Sequence, residues 1–123
     1  MSAEDIAKQF INHFYSKFHP PQQMDQLAGL YQPQSQLKFE GEAHVGAQAI
    51  IEKYRGLGSL QFAPTSFDVQ PSTNNNAMLI MITGNVKIGG QENPLHYTQC
   101  FQLVATTPGA YYVHNDIFRL VYM

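Results

Sequence analysis

The residues able to do chemistry in this chain are few. A carboxylate set in an apolar pocket, with a tyrosine or second acid as oxyanion donor, can abstract a proton from carbon. Glu40, Asp116, Tyr97 and Tyr112 have the right types for that work. The alternative is structural: Glu40 as a solvated surface acid and Asp116 in a salt bridge to a basic residue. Cys100 is the single cysteine. Phe101 follows it in a strand-like segment, and a free cysteine there reads as a small buried hydrophobe. A nucleophilic role would need a histidine base, and His114 could supply one from a neighbouring strand. The histidines, His13, His19, His44, His96 and His114, form neither an H-x-x-x-H nor an H-E-x-x-H pattern, so no metal site is expected. Gly84, Gly89 and Gly90 fit neither dinucleotide-binding nor phosphate-loop spacing. No cofactor is expected. Phe39-Glu40-Gly41 is the most suggestive element, placing a large aromatic beside an acid near the rim of a domain.

The 123 residues suffice for one domain, 1–123. Hydrophobic residues make up 44%, enough for a packed core. Charged residues are only 13%, about half the usual share. Glutamine and asparagine take their surface role. The net charge of −2, with basic residues scattered singly, argues against nucleic acid. One cysteine allows no internal disulfide. The first ten residues lack the apolar centre of a signal peptide. No apolar run approaches the roughly 18 residues of a membrane span. The expectation is a soluble intracellular protein.

Ser2 with Glu4 and Asp5 opens a helix over residues 2–18, striped by Ile6, Phe10, Phe14 and Phe18. Pro20-Pro21 ends it. A short helix follows from Met24 to Tyr31, then a loop from Gln32 to Ser35, then a strand from Leu37 to His44. Gly46 opens a third helix, closed near Gly56 and Gly58. Strands are expected over Leu60–Gln70, Ala77–Ile88, Leu95–Thr107 and Ala110–Tyr122, with a turn at Asn74-Asn75-Asn76. Ala77 to Ile82 is apolar on both faces, which implies cover on both sides. Helices first and long strands after give an α+β fold, helices packed on one face of an antiparallel sheet. Strict alternation in the last strand puts Tyr111, Val113, Asn115, Ile117, Arg119 and Val121 on one face. Tyr112, His114, Asp116, Phe118, Leu120 and Tyr122 fall on the other. Both faces are largely apolar, and the helices can cover only one. The open face is expected to pair two copies.

Several segments carry a family resemblance along essentially the whole chain. They are Asn115-Asp116-Ile117-Phe118-Arg119-Leu120, Phe39-Glu40-Gly41, Ile51-Glu52-Lys53, Phe10-Ile11-Asn12-His13-Phe14-Tyr15, Leu27-Ala28-Gly29-Leu30-Tyr31, Met81-Ile82-Thr83-Gly84 and Gln99-Cys100-Phe101-Gln102-Leu103. In order and spacing they resemble the nuclear transport factor 2 family, small dimeric carriers of GDP-bound Ran. The resemblance implies a cone-shaped α+β fold with a strongly bent sheet and a homodimer joined through it. It implies an inert apolar pocket that admits an aromatic side chain of Ran, with acids at its mouth. Phe39 matches the aromatic lining the pocket and Glu40 the acid beside it. Leu57, Phe62, Val86, Ile88 and Phe118 match apolar walls. Met81 and Ile117 match the dimer face. Passage through nuclear pores on phenylalanine-rich nucleoporin repeats, between cytoplasm and nucleus, is implied as well.

The sequence departs from that pattern in three places. The loop before Pro94 reads Gly89-Gly90-Gln91-Glu92-Asn93 and keeps only Glu92 where the family carries an acidic pair. A histidine usual after the third helix is missing at Ala63-Pro64-Thr65. Ala3 stands where an aromatic helps bind nucleoporins. The first two weaken the Ran assignment and the third the nucleoporin one, while Glu42 offers a substitute negative charge. Two rival functions share the fold: an isomerase or dehydratase, and a heterodimer subunit of a messenger-RNA export factor. An enzyme needs a carboxylate deep in the pocket with a second polar group in reach. A protein-binding site needs an apolar interior and acids at the rim, which is the pattern this sequence favours.

Overall fold

The computed structural model describes residues 2–74 and 76–121. The positions expected for Asn75 in the turn and for Tyr122 on the last strand lie outside the described residues. Helix α1 spans Ala3–Tyr15. Ser2 caps it: its hydroxyl accepts from the Asp5 N–H at 3.2 Å, and the Asp5 carboxylate accepts from the Ser2 N–H at 3.3 Å. Ala7, Ile11 and Phe14 form its buried stripe. It stops three residues short of the expected Phe18. Ser16 turns its hydroxyl onto the His13 carbonyl, and prolines follow. Phe18 is nonetheless fully buried, its ring 5.0 Å from those of Phe14 and Tyr54.

The second helix is a 3-10 helix, Pro21–Leu30, beginning earlier than expected because proline suits a first turn. Strand β1, Tyr31–Phe39, includes the segment expected as a loop. The polar residues Gln32 to Ser35 form an irregularity inside the strand, where the register against its neighbour shifts between Tyr31 and Gln36. The Ser35 hydroxyl closes it, accepting from the Gln32 N–H and donating to the Val113 carbonyl. The expected single strand Leu37–His44 is a hairpin. β1 ends at Phe39, Glu40 and Gly41 turn at φ 51° and 87°, and β2 runs Glu42–Val45. Two consecutive positive φ values make the tight turn whose twist suits a hairpin.

Helix α2, Ala47–Gly56, buries Ile50, Ile51 and Tyr54. Strands β3 (Leu60–Pro71), β4 (Ala77–Ile88), β5 (Leu95–Thr107) and β6 (Ala110–Val121) follow. The sheet order is β2-β1-β6-β5-β4-β3, antiparallel except where β1 runs parallel to β6. Bulges bend it. Thr65 is the extra residue between Pro64 and Ser66, opposite Gly84. A Cβ on Gly84 would stand 2.5 Å from the Ala63 carbonyl oxygen, so only glycine admits this approach.

A bulge at His114 corrects the face assignment of the last strand. Strict alternation fails there, because one extra residue inverts every side chain beyond it. Val113, Asp116 and Phe118 are buried, whereas Ile117 is exposed. The outer sheet face carries Leu79, Met81, Ile117 and Val121, all between 43% and 51% exposed. Cover on both sides of Ala77–Ile82 is therefore absent in the single chain: Leu79 and Met81 stand open.

Candidate functional site

At one end of the molecule β1 and β6 lie in register, Phe39 opposite Phe118. Their rings stack with centroids 4.5 Å apart and planes 2° from parallel. Tyr97 of β5 extends the stack beyond Phe118 at 5.5 Å. Phe62 of β3 stands edge-on to Tyr97 and Phe118 and stacks on Tyr15 of α1 at 4.4 Å. Offset-stacked and edge-to-face pairs each add about 1 kcal/mol beyond area burial, so this wall is rigid. Of the residues expected to line the pocket, Phe39, Val86 and Phe118 are buried in the core. Leu57, Phe62 and Ile88 are half-buried and pack against that core. Phe62 pairs with Val86 and Leu60 with Ile88 across β3 and β4, and the Gly89 N–H bonds the Ser59 carbonyl at 2.8 Å. All six apolar residues thus border one aromatic core. Glu92 lies exposed in the loop after Ile88.

Glu40 sits where the hairpin turn meets β6. Its N–H bonds the Phe118 carbonyl at 3.0 Å, and its carboxylate accepts from the Leu120 N–H. A non-glycine residue at positive φ costs about 1 kcal/mol, which these bonds offset. Glu40 is therefore not a freely solvated acid: β6 holds it half-buried beside Phe39. Glu42 does not restore free negative charge at the rim. Its Oε1 lies 3.0 Å from His44 Nε2 and 3.8 Å from Lys53 Nζ. Lys53 also sits 5.3 Å above the Phe39 ring.

Inward from the aromatic wall lies a polar knot that the sequence resolved only in part. Asp116 is fully buried, and no basic side chain meets it, which overturns the expected salt bridge. The Tyr54 hydroxyl donates to Oδ2 at 2.6 Å and the Tyr31 hydroxyl to the same oxygen at 3.0 Å. Gln99 Nε2 donates to Oδ1 at 2.8 Å, and Tyr15 donates to the Gln99 side-chain oxygen at 2.8 Å. Burial pushes the Asp116 carboxyl up to about 6, and the donors from Tyr54, Gln99 and Tyr31 hold it back. Burial raises the tyrosine hydroxyls too, Tyr97 to about 12 and Tyr31 and Tyr54 well above their ordinary range. The sequence gives no sign of the partners Tyr31, Tyr54 and Gln99. They come from β1, α2 and β5, and the sheet order that sets β6 between β1 and β5, with α2 packed over it, gathers them.

A deep carboxylate with polar groups in reach is what an enzyme requires, and this one is sealed. Both oxygens are occupied and no part of the residue meets solvent. Tyr112 is elsewhere, its hydroxyl 3.4 Å from Gln34 Nε2 and 3.5 Å from His114 Nδ1. Cys100 is not the buried hydrophobe expected. It is half-exposed on the outer face, between Met81 of β4 and Ile117 of β6, with burial raising its thiol. His114 is not its cross-strand neighbour. Among the described residues no cluster of three or more His, Cys, Asp or Glu could hold a metal, and no helix is long and apolar enough to cross a membrane.

The Nuclear transport factor 2 (NTF2) domain model matches residues 6–120. The chain is 40% identical to nuclear transport factor 2B of Arabidopsis thaliana, over 99% of this chain and 97% of that protein. It is 41% identical to nuclear transport factor 2 of Oryza sativa subsp. japonica, over 99% of each. The solved structure of nuclear transport factor 2 from Cryptosporidium parvum superposes with a TM-score of 0.84 at 37% identity, covering 96% of this chain and 94% of that one.

Proposed function

The chain belongs to the nuclear transport factor 2 family, and from that premise we propose that it is a carrier without catalytic activity that binds GDP-bound Ran at the Phe39–Phe118 end of the molecule. The observation that carries this reading is the construction of that end. A buried aromatic stack is bordered by half-buried Leu57, Phe62 and Ile88, with Glu40 held at its edge. Such an apolar patch suits an aromatic anchor from a partner, and an acid fixed by backbone bonds presents charge to a basic partner at little entropic cost. Glu92, exposed in the neighbouring loop, adds a second acid. The carrier works as a homodimer through the face bearing Met81 and Ile117. It shuttles between cytoplasm and nucleus through the nuclear pore on phenylalanine-rich nucleoporin repeats, weakly, because Ala3 removes an aromatic contact. The sealed state of Asp116 supports the carrier over the isomerase reading. The test is capture of purified Ran, loaded in parallel with GDP and with GTP. Selective retention of the GDP form is expected, and equal retention of both forms or of neither overturns the assignment.

A further inference from the structure

We propose that Lys53 is a specificity-determining residue of the docking rim, which sets the strength and salt dependence of partner binding by withdrawing Glu42 from it. The inference rests on the docking site described above. Glu42 opens β2 directly opposite Phe39, in the register Phe39↔Glu42, so its carboxylate belongs to the mouth of the site. Its side chain is 66% exposed, and a bare acid there would face a basic partner as Glu40 and Glu92 do. The fold sets the Lys53 ammonium and the His44 imidazole beside it instead. Lys53 projects from α2 over the same edge, its ammonium 3.8 Å from Glu42 and 5.3 Å above the Phe39 ring, and His44 Nε2 stands 3.0 Å from the same carboxylate oxygen.

Lys53 is 27% exposed, held by the ring face and the carboxylate together, so it is a fixed charge and not a freely solvated one. Two effects follow at the rim. The Lys53 charge offsets part of the field of Glu42, and its stem covers part of the Phe39 edge. Rim charges act mainly on association rate and its ionic-strength dependence, so the effect is read best there.

The experiment measures association with Ran·GDP over a range of salt for the wild type, Lys53→Met, Glu42→Gln and the double variant. Methionine keeps the stem over Phe39 and removes the charge. Lys53→Met is expected to raise affinity about threefold at low salt and to steepen the salt dependence. The gain should disappear in the Glu42→Gln background, since the effect runs through that carboxylate. An equal gain in both backgrounds would show Lys53 acting as bulk charge alone and overturns the proposal. So does unchanged binding, and so does weaker binding with an intact melt, which would make Lys53 a direct contact. Failure of all four proteins to bind Ran·GDP overturns the docking site itself, and this proposal with it.

Discussion

Replacing Asp116 with Asn tests whether the buried knot governs how stability follows pH. The carboxyl's folded value is raised from 3.8 to about 6 by burial. A raised acid binds its proton more tightly in the folded chain. Its stabilising contribution is therefore complete below about pH 3.8 and is lost as pH rises through about 6. The full span is about 3 kcal/mol, at 1.36 kcal/mol per unit. Between about pH 5 and pH 7.5 the loss is on the order of 1 kcal/mol, or several degrees in melting temperature for a chain of this size. Asn keeps the shape and cannot ionise. Its amide loses one acceptor, but the Tyr31 and Tyr54 hydroxyls can turn to accept from it. Melts of both proteins at fixed concentration across that range isolate the term, since every other titrating group is common to the two. The wild type should lose several degrees more than Asp116→Asn on going from the lower to the higher pH. Parallel curves would show that Asp116 does not titrate in this window and refute the reasoning.

Ile117→Glu places a charge at the centre of the exposed face, costing association several kcal/mol if two copies meet there; sedimentation at micromolar concentration should show a monomer that still melts cooperatively. Gly84→Ala puts a methyl 2.5 Å from the Ala63 carbonyl oxygen and 2.7 Å from Pro64 Cα. Both are backbone atoms, so chemical denaturation should show a loss of about 2 kcal/mol or more. Gly56→Ala, at a helical position with open space around it, should instead gain about 0.5 kcal/mol in the same assay.

The elements legible in the sequence were those with strong local signals. Ser2 and Asp5 announced the start of α1, and Gly46 that of α2. The long strands β3 to β6 came from β-rich runs between turn residues. What escaped was set by tertiary pairing. Glu40-Gly41 looked like the middle of a strand, because an acid at positive φ has no sequence signature and is held there by Phe118 and Leu120. The bulge at His114 has no local mark, yet it decides that Asp116 points inward and Ile117 outward. The aromatic and aliphatic residues assigned to the proposed docking end, Phe39, Leu57, Phe62, Val86, Ile88 and Phe118, belong to or pack against the one hydrophobic core. The partners of Asp116 were invisible for the converse reason: Tyr31, Tyr54 and Gln99 lie far apart in the chain and look like ordinary core or surface residues.

Calorimetric titration of Ran·GDP into the wild type and into Glu40→Gln is the most direct test of the docking site. Glutamine keeps a side-chain oxygen to accept from the Leu120 N–H, so the turn should hold and the melt should be unchanged. Only the charge is removed. Affinity is expected to fall at least about tenfold, as for a charged contact partly shielded from water. Equal affinity for the two proteins would contradict it and place Ran's contact, if one forms, on another part of the surface.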